Sequence, residues 1–288
     1  MSAEEKPIAA LIYDFDGTLS PGNMQEYAFM HTIGGKSEDF WQENQDLATR
    51  QNADRILTYM YLMLQKAKSR QISVRRDSFR SFGKSVELFP GVDTWFSRIN
   101  EYGKKHGVVV EHYINSSGLK EIIEGTPIAK HFKQIFACSY LYDVDGVAYW
   151  PGVAVNFTNK TQFLFKINKG IDSIGDDIKV NDALPDHCRR VPFRNMIYMG
   201  DGSTDIPCMK LVKDQGGHSI AVYNPAEDAK REIAAQLIRD QRVNFMCSAD
   251  FSSHREIEKV THILLDKIKA EHAFKHLLQQ HQSKSGRT

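Results

Sequence analysis

Apolar positions along the chain follow two rhythms. Short, nearly unbroken apolar runs mark strands buried on both faces, and apolar residues recurring every three or four positions mark helices with one wet face. The first run, Ile8 to Tyr13 (IAALIY), stops abruptly at Asp14-Phe15-Asp16-Gly17-Thr18. Val108 to Ile114 (VVVEHYI) stops in the same way at Asn115-Ser116-Ser117-Gly118, and Met196 to Met199 (MIYM) at Gly200-Asp201-Gly202-Ser203-Thr204-Asp205. Ile135 to Cys138, His218 to Tyr223 and Val243 to Cys247 give three further short strands. Tyr140 to Trp150 alternates about Asp145-Gly146, which predicts a β-hairpin and makes Asp143 and Asp145 turn residues.

From Met24 to about Ser85 no strand is predicted. Helical spacing runs through Met24-Ala28-Phe29, through Phe40-Trp41-Leu47 and through Ile56-Tyr59-Met60-Met63-Leu64, with Gly34-Gly35 as a break and Ser37-Glu38 as a restart. Other helices are predicted through Trp95, Phe96 and Ile99, over Lys160 to Lys169, near Pro225 to Ile238, and over His254 to Gln280, with Ser283 to Thr288 expected to fray. Ile171 to Phe193, carrying Pro185 and Pro192, reads as an irregular insertion. Strands alternating with helices predict an α/β fold, a mostly parallel Rossmann-like sheet with helices on both faces. Residues 1–19 and 89–288 would form that core domain, and residues 20–88 a small helical domain inserted behind the first strand.

Composition narrows the setting. At 288 residues, 41% apolar and 25% charged, the chain is that of an ordinary globular protein. A net charge of +1 gives no global reason to expect nucleic acid or an anionic membrane as partner. No apolar run approaches the roughly 20 residues that span a bilayer. Met1 to Pro7 carries Glu4 and Glu5 and lacks the pattern of an export signal. Cys138, Cys188, Cys208 and Cys247 are widely spaced and read as free thiols in a reducing compartment, so a cytoplasmic location is expected.

Candidate chemistry lies where the strands stop. Parallel strands bring their carboxyl ends to one edge, so Asp14, Asp16, Ser116 and Asp201 are expected to converge there. Asp14 and Asp16 would repel each other unless a cation or a proton intervened. Together they offer a nucleophilic carboxylate, a second carboxyl for proton transfer and a place for a hard divalent metal. A calcium loop starting at Asp14 would need an acid or amide at its fifth position and Glu at its twelfth, where this chain has Thr18 and Gln25. The dinucleotide pattern Gly-x-Gly-x-x-Gly fails at Asp205, and no P-loop is present. His31, His112 and His254 have no partner spacing that suggests a metal site.

Asp14-Phe15-Asp16-Gly17-Thr18-Leu19 resembles the first motif of the haloacid dehalogenase-like (HAD) hydrolases. Within that resemblance, Ser116 matches the second-motif hydroxyl, with Ser117 as the competing choice and Gly118 beside them. Lys160 matches the third-motif lysine, although the stretch from Lys160 to Asp201 is longer than in compact members. Gly200-Asp201-Gly202-Ser203-Thr204-Asp205 matches the fourth motif. The resemblance implies a magnesium site built from Asp14, the Asp16 carbonyl and Asp201, with Asp205 holding a metal-bound water or orienting Lys160. It implies a phosphatase acting on a small phosphorylated metabolite through an aspartyl-phosphate on Asp14, with Asp16 as the acid and base. Carbon–halogen hydrolases of the superfamily lack an acid at the position of Asp16, and phosphonate-cleaving members carry a small residue there. Residues 20–88 look like the inserted cap of phosphoserine-phosphatase-like members, in which Glu26, Arg50 and Arg55 are candidate substrate-reading residues. A phosphotransferase, and a non-catalytic phospho-ligand-binding protein, stand as alternatives.

Overall fold

The computed structural model describes residues 6–72 and 74–284. Its strands are β1 (Ile8–Tyr13), β2 (Val109–Leu119), β3 (Phe132–Tyr142), β4 (Ala148–Val153), β5 (Met196–Gly200), β6 (His218–Tyr223) and β7 (Phe245–Ser248). They form one sheet in the order β4-β3-β2-β1-β5-β6-β7. Only the β3–β4 pair is antiparallel. β1 lies at the centre, and Ala9 to Tyr13 are entirely shielded from solvent, which is why that segment has no polar alternation. The chain first builds outward on one side of β1 and later returns to build on the other. The order therefore reverses beside β1, and the carboxyl edge there is the natural ligand crevice.

Helix Val92–His106 packs with the closing helix Glu256–Lys284, and helix Lys160–Lys169 packs with Ile206–Asp214; helices cover both faces of the sheet. Among the described residues no helix is long and apolar enough to cross a membrane. Between β1 and the helix Val92–His106 the chain is helical: Met24–Tyr27, Phe29–Ile33, Ser37–Gln51, Arg55–Ser69 and Arg76–Phe82. Asp54 starts the fourth of these by accepting hydrogen bonds from the Ile56 and Leu57 amides, both at 2.9 Å. This helical excursion is strapped to the β3–β4 hairpin. The Ala148 amide donates to the Val74 carbonyl (2.9 Å) and the Arg76 amide to Gly146 (3.0 Å). The Tyr140 hydroxyl donates to the Met60 carbonyl (2.9 Å), and the Tyr140 and Phe79 rings stack at 5.5 Å.

Several elements differ from their expected form. β2 does not stop at Ile114 but runs on through Asn115-Ser116-Ser117-Gly118 to Leu119, with a register shift against β3 that absorbs the polar residues as an irregularity in the strand. β3 is longer than Ile135 to Cys138 because pairing with β4 extends it. The first excursion helix is broken at Ala28, which sits outside helical geometry. Helices Arg76–Phe82, Lys120–Glu124 and Ile206–Asp214 were not anticipated, and the 171–193 insertion holds a short helix, Asp177–Val180. Ser283 and Lys284 are helical rather than frayed; residues 285–288, like Met1 to Glu5, lie outside the described residues.

Beneath β1 a hydrogen-bond chain carries a testable consequence. Trp95 Nε1 donates to the Tyr13 hydroxyl (2.9 Å), which pairs with His112 Nδ1 (3.0 Å), while His112 Nε2 pairs with Asn100 Oδ1 (3.1 Å). With its oxygen accepting from Trp95, Tyr13 donates to Nδ1, and the proton of a neutral imidazole sits on Nε2, facing Asn100. Burial, aided by His131, pulls His112 down to about 3. A histidine whose pKa is lower folded than unfolded stays neutral in the fold while the unfolded chain takes up a proton. Its stability is thus fully present above about pH 6.5 and is lost as pH falls toward 3. Urea unfolding at pH 7 and pH 5 should show His112→Gln narrowing the loss by about 1.4 kcal/mol for each pH unit below 6.5. An unchanged pH dependence in the variant would contradict this.

Candidate active site

Asp14 is the first residue after β1, and Asp201 the first after β5, its parallel neighbour. The close approach of the two turns has a steric condition. Gly17 has φ +76°, and a Cβ there would lie 2.3 Å from Asp201 Oδ2. Only glycine adopts that backbone and leaves room for the carboxylate. Gly118 is similarly confined: a Cβ would meet the Met24 side chain and come within 3.2 Å of Asp16 Oδ2.

Carboxylate oxygens of Asp14, Asp201 and Asp205 all lie within 4.8 Å of one another. Lys160, the first residue of its helix and fully buried, places Nζ 3.3 Å from Asp14 and 2.6 Å from Asp205. Its backbone carbonyl accepts a hydrogen bond from Asn115 Nδ2 (3.1 Å), which ties the helix start to β2. Asp205 also accepts from the Tyr198 hydroxyl (2.7 Å) and from the Gly202 amide (3.2 Å). Its carboxylate is therefore occupied by the lysine and two neutral donors. On the cleft side, Asp201 pairs with Lys230 at 3.0 Å. Asp16 accepts from the Met24 amide at 2.9 Å, so the second acid anchors the start of the helical excursion.

The electrostatics follow from crowding acids in a dry place. Burial raises Asp14 well above the ordinary carboxylate range; Asp205 adds to this and Lys160 opposes it. Asp16 is pushed up to about 8, chiefly by burial against the Met24 hydrogen bond, with Asp201 and Glu26 contributing. Asp201 is raised by burial and by Asp205. Burial would lower Lys160, but Asp14 and Asp205 overcome it and hold the ammonium charged.

These groups floor a cleft of about 440 Å³. Asp14, Asp16, Ser116, Ser117, Gly118 and Asp201 line it, whereas Lys160 and Asp205 stand just behind. The Gly118 amide donates to Ser116 Oγ (3.1 Å), and Ser117 Oγ is buried without a partner. All eight residues singled out in the sequence are thus drawn together. Of the candidate substrate readers, only Glu26 lines the cleft; Arg50 and Arg55 are exposed outside it. Sequence reasoning missed Lys230, Trp41 and Tyr59. Lys230 lies in the first turn of the helix after β6 (Asp228–Arg239), at the same carboxyl edge, and that parallel placement was the signal that would have found it.

The profile of the family described as "haloacid dehalogenase-like hydrolase" matches residues 11–210. An uncharacterized protein of Borreliella burgdorferi is 28% identical over 283 residues, covering 86% of this chain and 93% of that protein. A HAD family hydrolase of Salmonella enterica subsp. enterica serovar Typhi superposes with a TM-score of 0.56 at 15% identity, over 91% of this chain and 73% of that one. A substrate-bound phosphoserine phosphatase gives 0.52 at 15% identity, over 89% and 98%. At such identities the two structures speak for the fold.

Proposed function

The chain belongs to the haloacid dehalogenase-like hydrolases, and on that premise we propose that it is a magnesium-dependent phosphatase of a small phosphomonoester, working through an aspartyl-phosphate on Asp14. Residues 20–88 serve as the cap over a core of 1–19 and 89–288, in a cytoplasmic enzyme whose four cysteines remain thiols. The observation that carries the reading is the buried Lys160 ammonium 3.3 Å from Asp14, with the Asp16 carboxyl two residues on lining the same cleft.

A divalent cation suits these residues. Their donors are hard oxygens, and burial raises Asp14, Asp16 and Asp201 together, a mutual strain that a cation relieves. Asp14 and Asp201, with the Asp16 carbonyl, would hold it, and Asp205 orients Lys160. When bound, magnesium supplies charge neutralisation for the phosphoryl oxygens.

Asp14 attacks phosphorus and the ester oxygen departs as an alcohol. Asp16, protonated at neutral pH by its burial, gives that oxygen its proton. It then takes a proton from the water that hydrolyses the aspartyl-phosphate. Lys160 offsets the charge between nucleophile and phosphoryl group throughout, and the hydroxyls of Ser116 and Ser117 bind phosphoryl oxygens, with Gly118 keeping the backbone close.

Turnover of p-nitrophenyl phosphate is expected with magnesium, to vanish on adding EDTA and to return with excess magnesium. Hydrolysis that survives the chelator, or none against a panel of phosphomonoesters, would overturn the reading.

A further inference from the structure

The cleft has two chemically different ends. One holds the acids and serines just described. The other is walled by the helical excursion, through Gln25, Glu26, Trp41, Ile56 and Tyr59. That wall carries a single charge, the Glu26 carboxylate, which is fixed in place. Its Oε1 accepts from Trp41 Nε1 and from Asn23 Nδ2, both at 2.6 Å. Its Oε2 has no hydrogen bond to another described residue. The indole that holds Glu26 meets the Tyr59 ring edge-on, with centroids 5.9 Å apart, and Tyr59 is in turn anchored by donating to the Ser117 carbonyl (2.8 Å). Gln25, 2% exposed on the same wall, has a side-chain oxygen without a partner.

Among the described residues lining the cleft, the only one with a basic side chain is Lys230, and it is paired with Asp201 rather than Glu26. A pinned carboxylate with one free oxygen, beside two aromatic rings that line the cleft and an unused acceptor, attracts a positive group by charge, by hydrogen bonding and by cation–π contact. A leaving group with its own carboxylate would meet Glu26 with nothing to neutralise it.

We propose that Glu26, Trp41 and Tyr59 form a leaving-group subsite selective for phosphomonoesters of amino alcohols, in which the alcohol carries an ammonium group and no carboxylate. This rests on the phosphatase reading and adds the substrate class. The subsite differs from one for a phosphorylated amino acid in having, among the described residues, no basic residue for the carboxylate.

The test compares kcat/KM of the magnesium-loaded enzyme for phosphoethanolamine, phosphocholine, O-phosphoserine and glycerol 3-phosphate, with p-nitrophenyl phosphate as the generic substrate. Phosphoethanolamine is expected to exceed both glycerol 3-phosphate and O-phosphoserine by about tenfold or more, the scale of one charged hydrogen bond. Glu26→Gln should bring the phosphoethanolamine to glycerol 3-phosphate ratio close to one, acting mainly through KM. Phosphocholine, which offers charge but no N–H, separates the aromatic contribution, and Trp41→Leu should lower its kcat/KM relative to glycerol 3-phosphate. Good turnover of p-nitrophenyl phosphate without preference for the ammonium esters, or a preference untouched by Glu26→Gln, overturns the subsite and leaves the phosphatase reading standing. No turnover of any of the five overturns both.

Discussion

Replacing Asp14 with asparagine is expected to cut turnover of an aryl phosphate by about 10,000-fold or more, the scale seen when a covalent nucleophile is removed. The fold should not suffer. Asp14 is buried among Asp16, Asp201 and Asp205, with Lys160 opposing them, and its Oδ1 accepts from the Phe15 amide at 2.8 Å. Asparagine keeps an acceptor for that amide and removes a repelled charge. The metal-free variant should therefore unfold at the same temperature as the native protein or higher. What it should lose is the response to magnesium. A cation bound at a hundred times its dissociation constant stabilises a fold by about 2.7 kcal/mol, and that increment should shrink once a ligand carboxylate is gone. Thermal scans with and without magnesium, beside the activity assay, check both halves. Retained turnover would remove Asp14 as the nucleophile.

Lys160→Met should be damaging in a different way. The ammonium is fully buried, and its removal leaves Asp14 and Asp205 without their shared counter-charge. Breaking a buried pair by deleting one partner costs about 3–5 kcal/mol, offset in part where one acid takes up a proton. Activity should fall by about 100- to 1,000-fold, as when one preorganised group is taken from a charge-stabilising site. Excess magnesium should restore part of the stability but not the rate, because a cation offsets the acids without standing where Lys160 stands. A variant as stable and active as the native protein would show that the acids are balanced from elsewhere, with Lys230 the first place to look.

Much of this site could be read from residue order, for a definite reason. Asp14 and Asp201 directly follow strands so apolar that their burial follows from composition, Ser116 lies just past the apolar part of β2, and parallel pairing brings these positions to one edge. The Lys160–Lys169 helix and the hairpin turn at Asp143, whose Oδ1 accepts from the Asp145 and Val147 amides, followed from local pattern in the same way. Less legible was whatever depended on register or on partners distant in sequence. Lys230 meets Asp201 across 29 positions, through the placement of β6 beside β5. Ser116 and Ser117 looked like a turn because small polar residues favour turns, yet β2 runs on through them, and its register against β3 shifts between Asn115 and Leu119. Helix Ile206–Asp214 was hidden by the polar run before it, although Pro207 at its first turn is a helix-start signal. Arg50 and Arg55 were plausible substrate readers by charge, but the helices that carry them turn both residues to solvent.

The bonds from Val74 and Arg76 to the β3–β4 hairpin bear on how the cleft could open. Besides its two chain crossings, the helical segment is tied to the sheet's edge by these bonds and the Arg75–Val147 bridge, and to the sheet by the Tyr140–Met60 and Tyr59–Ser117 bonds. Any swing of that segment away from the cleft must either drag the sheet's edge with it or break these bonds. On the reading of residues 20–88 as a cap, opening would cost those bonds, so the entrance is expected to act more as a fixed doorway than as a hinged one.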